Sequence, residues 1–394
     1  MLKSVPERIL MGPGPSGVHP RVRQAMALPV LGHLDPDFLA VMDDVTRNLR
    51  LVFETSNRLT LPMSGTGSAG METALVNFLE PGEVAVVCVN GLFGERMADI
   101  ADRLGAEVVL VEAPWGKAVD PADVEAAVKG RKVKLVAVVH AETSTGVLQP
   151  LEEIVRVARE AGALVVVDAV TSLGGVPVRV DERDIDVCYS GTQKCLSCPP
   201  GLAPLTVGPR GEEALDRRKT RVSSWYLDLT MIRRYWGRER FYHHTAPVSM
   251  MYALAEALRL VVEEGLEARY RRHETASAAL QAGLEAMGLR LFVRKDLRLP
   301  PLAAVEVPPG VDDTRLRREL LTDYGIEIGG GLGRLKGRIV RIGVMGHSAR
   351  KRNVMLLLAA MEDCLDRQGF PVPFGEAEQA ALSVYRAGGG SGEE

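Results

Sequence analysis

The feature that most restricts the fold is an unbroken apolar run, Ala163 to Val167, that ends in Asp168. The run is too short for a helix and has no polar face. It therefore reads as a strand covered on both sides, as in a parallel sheet. A second run, Asp186 to Tyr189, leads through Ser190-Gly191-Thr192-Gln193 to Lys194. Parallel strands end on one edge, so Asp168 and Lys194 are delivered together to the side where open α/β sheets bind ligands. The rest of the first half keeps the same alternation. Strands are expected at Leu59 to Met63, Val84 to Val89, Val108 to Val111, Leu135 to Val139 and Leu202 to Val207. Between them lie helices at Pro36 to Phe53, at Gly94 to Leu104 and from Asp120-Pro121 to Val128, then one carrying Leu151, Ile154, Val155 and Ala158 on one face. This order predicts a doubly wound, mostly parallel sheet flanked by helices.

An acid and an amine on one sheet edge suit pyridoxal phosphate. The amine forms a Schiff base with the aldehyde, and the carboxylate pairs with the protonated ring nitrogen. A helix-capping aspartate and a surface lysine is the competing reading of these two residues alone. Ser64-Gly65-Thr66-Gly67-Ser68-Ala69-Gly70 joins a strand to a helix, where freed N–H groups suit a phosphate. Gly65 to Gly70 also spells a dinucleotide fingerprint, which would make the chain a nicotinamide oxidoreductase. The acidic residue expected about 20 positions on is missing, so a phosphate cup for a smaller cofactor is favoured. Arg341 lies inside the apolar strand Ile339 to Val344 and calls for an anion there, such as a substrate carboxylate. An edge-strand arginine paired with a glutamate is the alternative. His140, at a strand end, is expected to be structural.

The net charge of −3 offers no field for nucleic acid. No stretch is long and apolar enough to span a bilayer, and Met1 to Arg8 has no signal-peptide core, so a cytoplasmic location is expected. Five scattered cysteines fit a reducing compartment. Cys195 and Cys198 have metal-ligand spacing, but nothing completes a tetrahedron, and no metal is expected. At 394 residues the chain exceeds what one core holds, so two domains are expected. The divisions are an arm at 1–16, a large domain at 17–262, a small C-terminal α/β domain at 263–382 and a disordered tail at 383–394. The small domain is read as strands Leu289 to Arg294, Leu302 to Val307 and Ile339 to Val344 with a helix at Arg315 to Tyr324. A last helix spans Val354 to Cys364, and Trp225 to His244 shows no period.

Several segments occur in one order: Met11-Gly12-Pro13-Gly14-Pro15, Ser64-Gly65-Thr66-Gly67, Asn90-Gly91-Leu92-Phe93-Gly94 and Ser144-Thr145-Gly146-Val147-Leu148-Gln149-Pro150. Ser172-Leu173-Gly174-Gly175, Tyr189 to Lys194, Tyr242-His243-His244-Thr245 and Arg341-Ile342-Gly343 follow. Together they resemble the class V, fold-type-I pyridoxal-phosphate aminotransferases, in the alanine–glyoxylate and serine–glyoxylate branch. The resemblance implies a fold with a large seven-stranded sheet and a smaller C-terminal α/β domain. It implies that Lys194 is the Schiff-base lysine and proton shuttle and that Asp168 holds the ring nitrogen. Val170 and Phe93 would pack on the ring, Phe93 standing where relatives carry tryptophan. Thr143 would stand near the ring's phenolic oxygen. Thr66, Gly67, Ser68 and Gln193 would hold the phosphate, with Ser68 replacing a histidine. Tyr242 and Thr245 would reach the phosphate of a neighbouring subunit, which implies a homodimer. Arg341 and Gly14 would face the substrate. The reaction implied is ping-pong transfer from a small L-amino acid, alanine or serine, to glyoxylate. Alternatives are an aminoethylphosphonate-type donor with pyruvate as acceptor, and a lyase or cysteine desulfurase.

Overall fold

In the computed structural model, which describes residues 5–388, the strand ending at Asp168 lies in the middle of a seven-stranded sheet. The order across the sheet is Leu59–Ser64, Leu202–Val207, Val187–Tyr189, Leu164–Asp168, Val133–Val139, Val84–Val89 and Glu107–Glu112. Leu202–Val207 pairs antiparallel with both its neighbours, and the other pairings are parallel. Side-chain alternation explains the apolar runs. Val165 and Val167 enter the core on one face with Phe38, Met42 and Leu49. Leu164 and Val166 enter the core on the other face with Met71, Leu75 and Phe78. A strand with helices on both sides has no solvent face to mark with polar residues. The structure is thus the α/β architecture with a mostly parallel sheet that the order of elements predicts.

A second, three-stranded antiparallel sheet takes Leu302–Glu306, Ile339–Gly343 and Gly329–Gly330, with Ile339–Gly343 in the middle. The helices Leu266–Ala286 and Lys351–Asp366 pack around it in a separate core. The two ends of the chain frame this unit. Ile9–Leu10 adds a short parallel pairing to Ile326–Glu327. The helix Glu376–Ala387 buries Ala377 and Ala381.

Three expectations need correction. Leu289 to Arg294 is not a full strand. It makes one bridge, Leu291 opposite Val305, because it lies at a sheet margin with a single neighbour. The stretch Trp225 to His244 contains a helix, Leu229–Trp236, capped by Asp228, whose side chain accepts from Thr230 N. That helix is too short to display a period. The tail expected from residue 383 begins inside the helix Glu376–Ala387, and residues 389–394 lie outside the described ones.

Candidate active site

The register of the central strands sets the floor of the site. Asp168 is opposite Tyr189 in the parallel pairing. The tyrosine hydroxyl donates to Asp168 Oδ2 at 2.8 Å, and Val170 N donates to Oδ1 at 2.8 Å. The carboxylate is 3% exposed. Burial pushes its pKa up to about 6, against the pull of those two donors. It is an anchored acceptor with lone pairs left for a cationic partner.

Lys194 lies just past the next strand, and its side chain is buried. Its ammonium donates to the Pro13 carbonyl, on the N-terminal arm. Burial, with the Arg341 charge added, lowers its pKa to about 8. Such an amine has a far larger neutral fraction near physiological pH than an ordinary lysine and is a competent nucleophile and base. Gly14 has φ +112°, and a Cβ there would come within 2.6 Å of Lys194 Nζ. Only glycine permits both the backbone and the approach.

Both groups open into one cavity of about 190 Å³. It is also lined by Thr66, Gly67, Ser68, Phe93, Thr143, Val170 and Gln193, which is most of the set expected from sequence. The Gly67–Phe78 helix starts at its edge with Thr66 at the cap and no side-chain cap bond, so its first N–H groups are free for an anion. Gln193 Oε1 is buried without a partner. The donors on one side, the carboxylate on the other and the apolar Phe93 and Val170 fit a flat, cationic heterocycle bearing a phosphate.

Arg341 lies beyond the cavity lining, on the small sheet. Its Nε donates to Gly330 O at 2.8 Å and its Nη1 to Thr143 O at 3.0 Å. Those two bonds leave N–H groups of the guanidinium for a further acceptor. The strand is central in its sheet, so the edge-strand alternative fails. Tyr242 and Thr245 do not line this cavity. Tyr242 is 49% exposed and its hydroxyl is 3.4 Å from Thr245 Oγ1. His140 does not line the cavity, and its Nδ1 is buried without a hydrogen-bond partner. It is buried, its pKa is pressed down to about 3, and the charges that act on it are Arg183 and Glu152.

Sequence reasoning missed Met71, Arg96, Val139 and Ala141, which also line the cavity, as does Thr171 beside the aspartate. Arg96 stands one turn beyond Phe93 on the same helix, with its guanidinium 5.1 Å from the centre of that ring. The helical period from Phe93 could have found it. The N-terminal arm packs against the lysine. Its Ser16 Oγ donates to Lys194 O at 2.7 Å, and Ser16 N donates to Gln193 O at 2.8 Å. On its other side, Gly343 N donates to Met11 O at 2.7 Å, and Met11 N donates to Glu327 O at 2.9 Å.

The family profile of class-V aminotransferases matches residues 25–346. The chain is a class-V aminotransferase. It is 43% identical over 402 residues to (S)-ureidoglycine–glyoxylate transaminase of Bacillus subtilis (strain 168), covering 98% of this chain and 97% of the relative. It is 42% identical over 366 residues to alanine–glyoxylate aminotransferase of Callithrix jacchus, covering 92% and 88%. Solved structures agree. The ureidoglycine–glyoxylate aminotransferase of Bacillus subtilis superposes with a TM-score of 0.96 at 44% identity, covering 98% of this chain and 99% of that one. Alanine–glyoxylate aminotransferase of Nostoc sp. gives 0.91 at 48%, covering 92% and 96%. The oxidoreductase reading of Gly65 to Gly70 is thereby displaced. The desulfurase reading also loses its chemistry, because all five cysteines are buried and burial pushes Cys195 and Cys364 up to about 12. A nucleophilic thiolate needs the opposite shift. Among the described residues, no helix is long and apolar enough to cross a membrane.

Proposed function

We propose that this aminotransferase binds pyridoxal phosphate and moves the amino group of a small L-amino acid to glyoxylate in a ping-pong cycle. The observation that carries this is the opening of Lys194 and Asp168 into one cavity that also meets the free helix end at Thr66–Ser68. When bound, the cofactor supplies an aldehyde that condenses with amines and a pyridinium ring that takes up electrons.

Thr66, Gly67, Ser68 and Gln193 would hold its phosphate, and Asp168 would keep the ring nitrogen protonated. Phe93 and Val170 would sandwich the ring, with Thr143 beside its phenolic oxygen. Lys194 would bind the aldehyde, then take up and return the substrate's Cα proton at its Nζ. Its pKa of about 8 suits both tasks. Arg341 would grip the substrate carboxylate with the N–H groups that Gly330 and Thr143 leave over. Gly14 would border the substrate.

Alanine and serine are the donors implied by the motif resemblance. The ureidoglycine relative adds (S)-ureidoglycine, since that match spans 98% of the chain. A panel of these donors against glyoxylate and pyruvate tests the reading. Turnover with none of them on glyoxylate would refute it.

We also infer a homodimer. Trp225 (59% exposed), Phe241 (55%) and Tyr242 (49%) put large rings at the surface of one short region. Tyr242 and Thr245 would there serve the neighbouring subunit's phosphate. Light scattering gives the mass, and a monomer with full activity would exclude shared sites. The domain division proposed is 17–262 and 263 onward, with the small unit extending through the Glu376–Ala387 helix.

A further inference from the structure

Glu142 is a carboxylate that nothing above has used, and it is 0% exposed. It ends the short strand Ala141–Glu142, which pairs back on Val147–Leu148. A buried carboxylate must be fully bonded or it is expensive. Its Oε1 accepts from Ser144 N at 3.0 Å and from Ser144 Oγ at 2.6 Å. Its Oε2 accepts from Phe93 N at 3.1 Å. Ser144 Oγ in turn accepts from Leu92 N at 2.9 Å.

Leu92 N and Phe93 N are free N–H groups at the start of the helix Leu92–Arg103. Its own cap position is Gly91, which has no side chain to offer. The cap is supplied from a distant strand end by Glu142 and Ser144. Negative charge is well placed at that helix end. Gly91 is required by closeness, since a Cβ there would sit 2.4 Å from Glu142 Cδ and 2.5 Å from Ser144 Oγ.

The same short turn holds the other wall. The next residue, Thr143, lines the cavity, and its carbonyl receives Arg341 Nη1. Glu142 is also the leading negative charge acting on Arg341. We propose that Glu142 is a positioning residue that locks the ring-stacking helix and the carboxylate-binding arginine into one register, without touching cofactor or substrate itself. This inference rests on the transaminase reading for the roles of Phe93 and Arg341.

The test compares Glu142→Gln, Phe93→Ala and Arg341→Ala in the full-length enzyme. The amide of Glu142→Gln turns a donor toward donors and leaves at least one N–H without an acceptor, a loss of about tenfold in what it positions. Two quantities are read: the dissociation constant for pyridoxal phosphate added to apoenzyme, and KM for amino donor and keto acid. Phe93→Ala is expected to raise mainly the first and Arg341→Ala mainly the second. Glu142→Gln is expected to raise both, with weaker visible circular dichroism of the bound cofactor. Gly91→Ala, which displaces the clamp but keeps its charge, is expected to reproduce this pattern and guards against a Gln variant that fails to fold. A rise in only one quantity, or in neither, overturns the proposal. A wild-type enzyme that binds no pyridoxal phosphate would instead refute the transaminase reading and leave the clamp geometry intact.

Discussion

The floor of the site and its far wall are built in different ways. The floor comes from two adjacent strands of the parallel sheet, with Asp168 set by its register with Tyr189 and Lys194 a few residues past a strand end. Short chain segments in a rigid, fully buried layer fix it. The far wall is assembled from pieces remote in sequence. Arg341 reaches Thr143 across 198 residues, the arm at Pro13 reaches Lys194 across 181, and the Phe93 helix is capped by Glu142 across 49. The difference separates two tasks. On the proposed function, the floor would hold the groups that do chemistry on a bound cofactor, and the wall would hold the groups that pack against and orient what binds.

This contrast can be broken from the floor first. Lys194→Ala is expected to lower turnover about a thousandfold or more, because one group both binds the aldehyde and carries the proton. Single-turnover assays with amino donor would show it, and a variant with normal turnover would end the assignment. The fold is expected to survive. A lysine whose pKa is lowered in the fold weakens stability as pH falls through about 8, so its removal at pH 7 relieves a buried charge. Arg341→Ala tests the wall and is expected to cost about a hundredfold in kcat/KM, by losing a charge-assisted carboxylate grip. That loss is expected in KM for both amino donor and keto acid, and an unchanged KM would remove the role. A pH titration sharpens the floor. Uptake of pyridoxal phosphate by apoenzyme is expected to quicken about tenfold per pH unit and level off near pH 8, as the free amine forms. Stopped-flow absorbance reads it, and a rise continuing past pH 10 would show an unperturbed lysine. The smallest effect is expected from Tyr189→Phe. It removes one donor to Asp168, worth about 1 kcal/mol, or a fewfold in cofactor affinity by equilibrium titration.

The same contrast explains what was legible in sequence. Strands buried on both faces write themselves as apolar runs, so the floor could be read from Ala163 to Lys194. The loop proposed to hold a phosphate was legible because a strand, a glycine-rich turn and a helix follow one another. Arg341 was visible as a charge inside an apolar strand, but its partners were not, since two are backbone carbonyls that any residue could supply. Glu142 was passed over because a buried acid in a short turn looks like any surface acid until its donors are seen. The helix Leu229–Trp236 and the final helix escaped because short or half-buried helices leave no clear period.

Where the arm meets the small sheet, two glycines touch backbone to backbone. A Cβ on Gly343 would fall 2.1 Å from Gly12 O, and one on Gly12 would fall 2.4 Å from Glu327 Oε2. A single methyl group at either position is therefore a wedge driven into a joint with no clearance. Pro13 is the next residue along the arm, so the wedge would be felt at the carbonyl that accepts from the Lys194 ammonium. The enzyme can be jammed by one carbon atom placed outside the lining of its cavity.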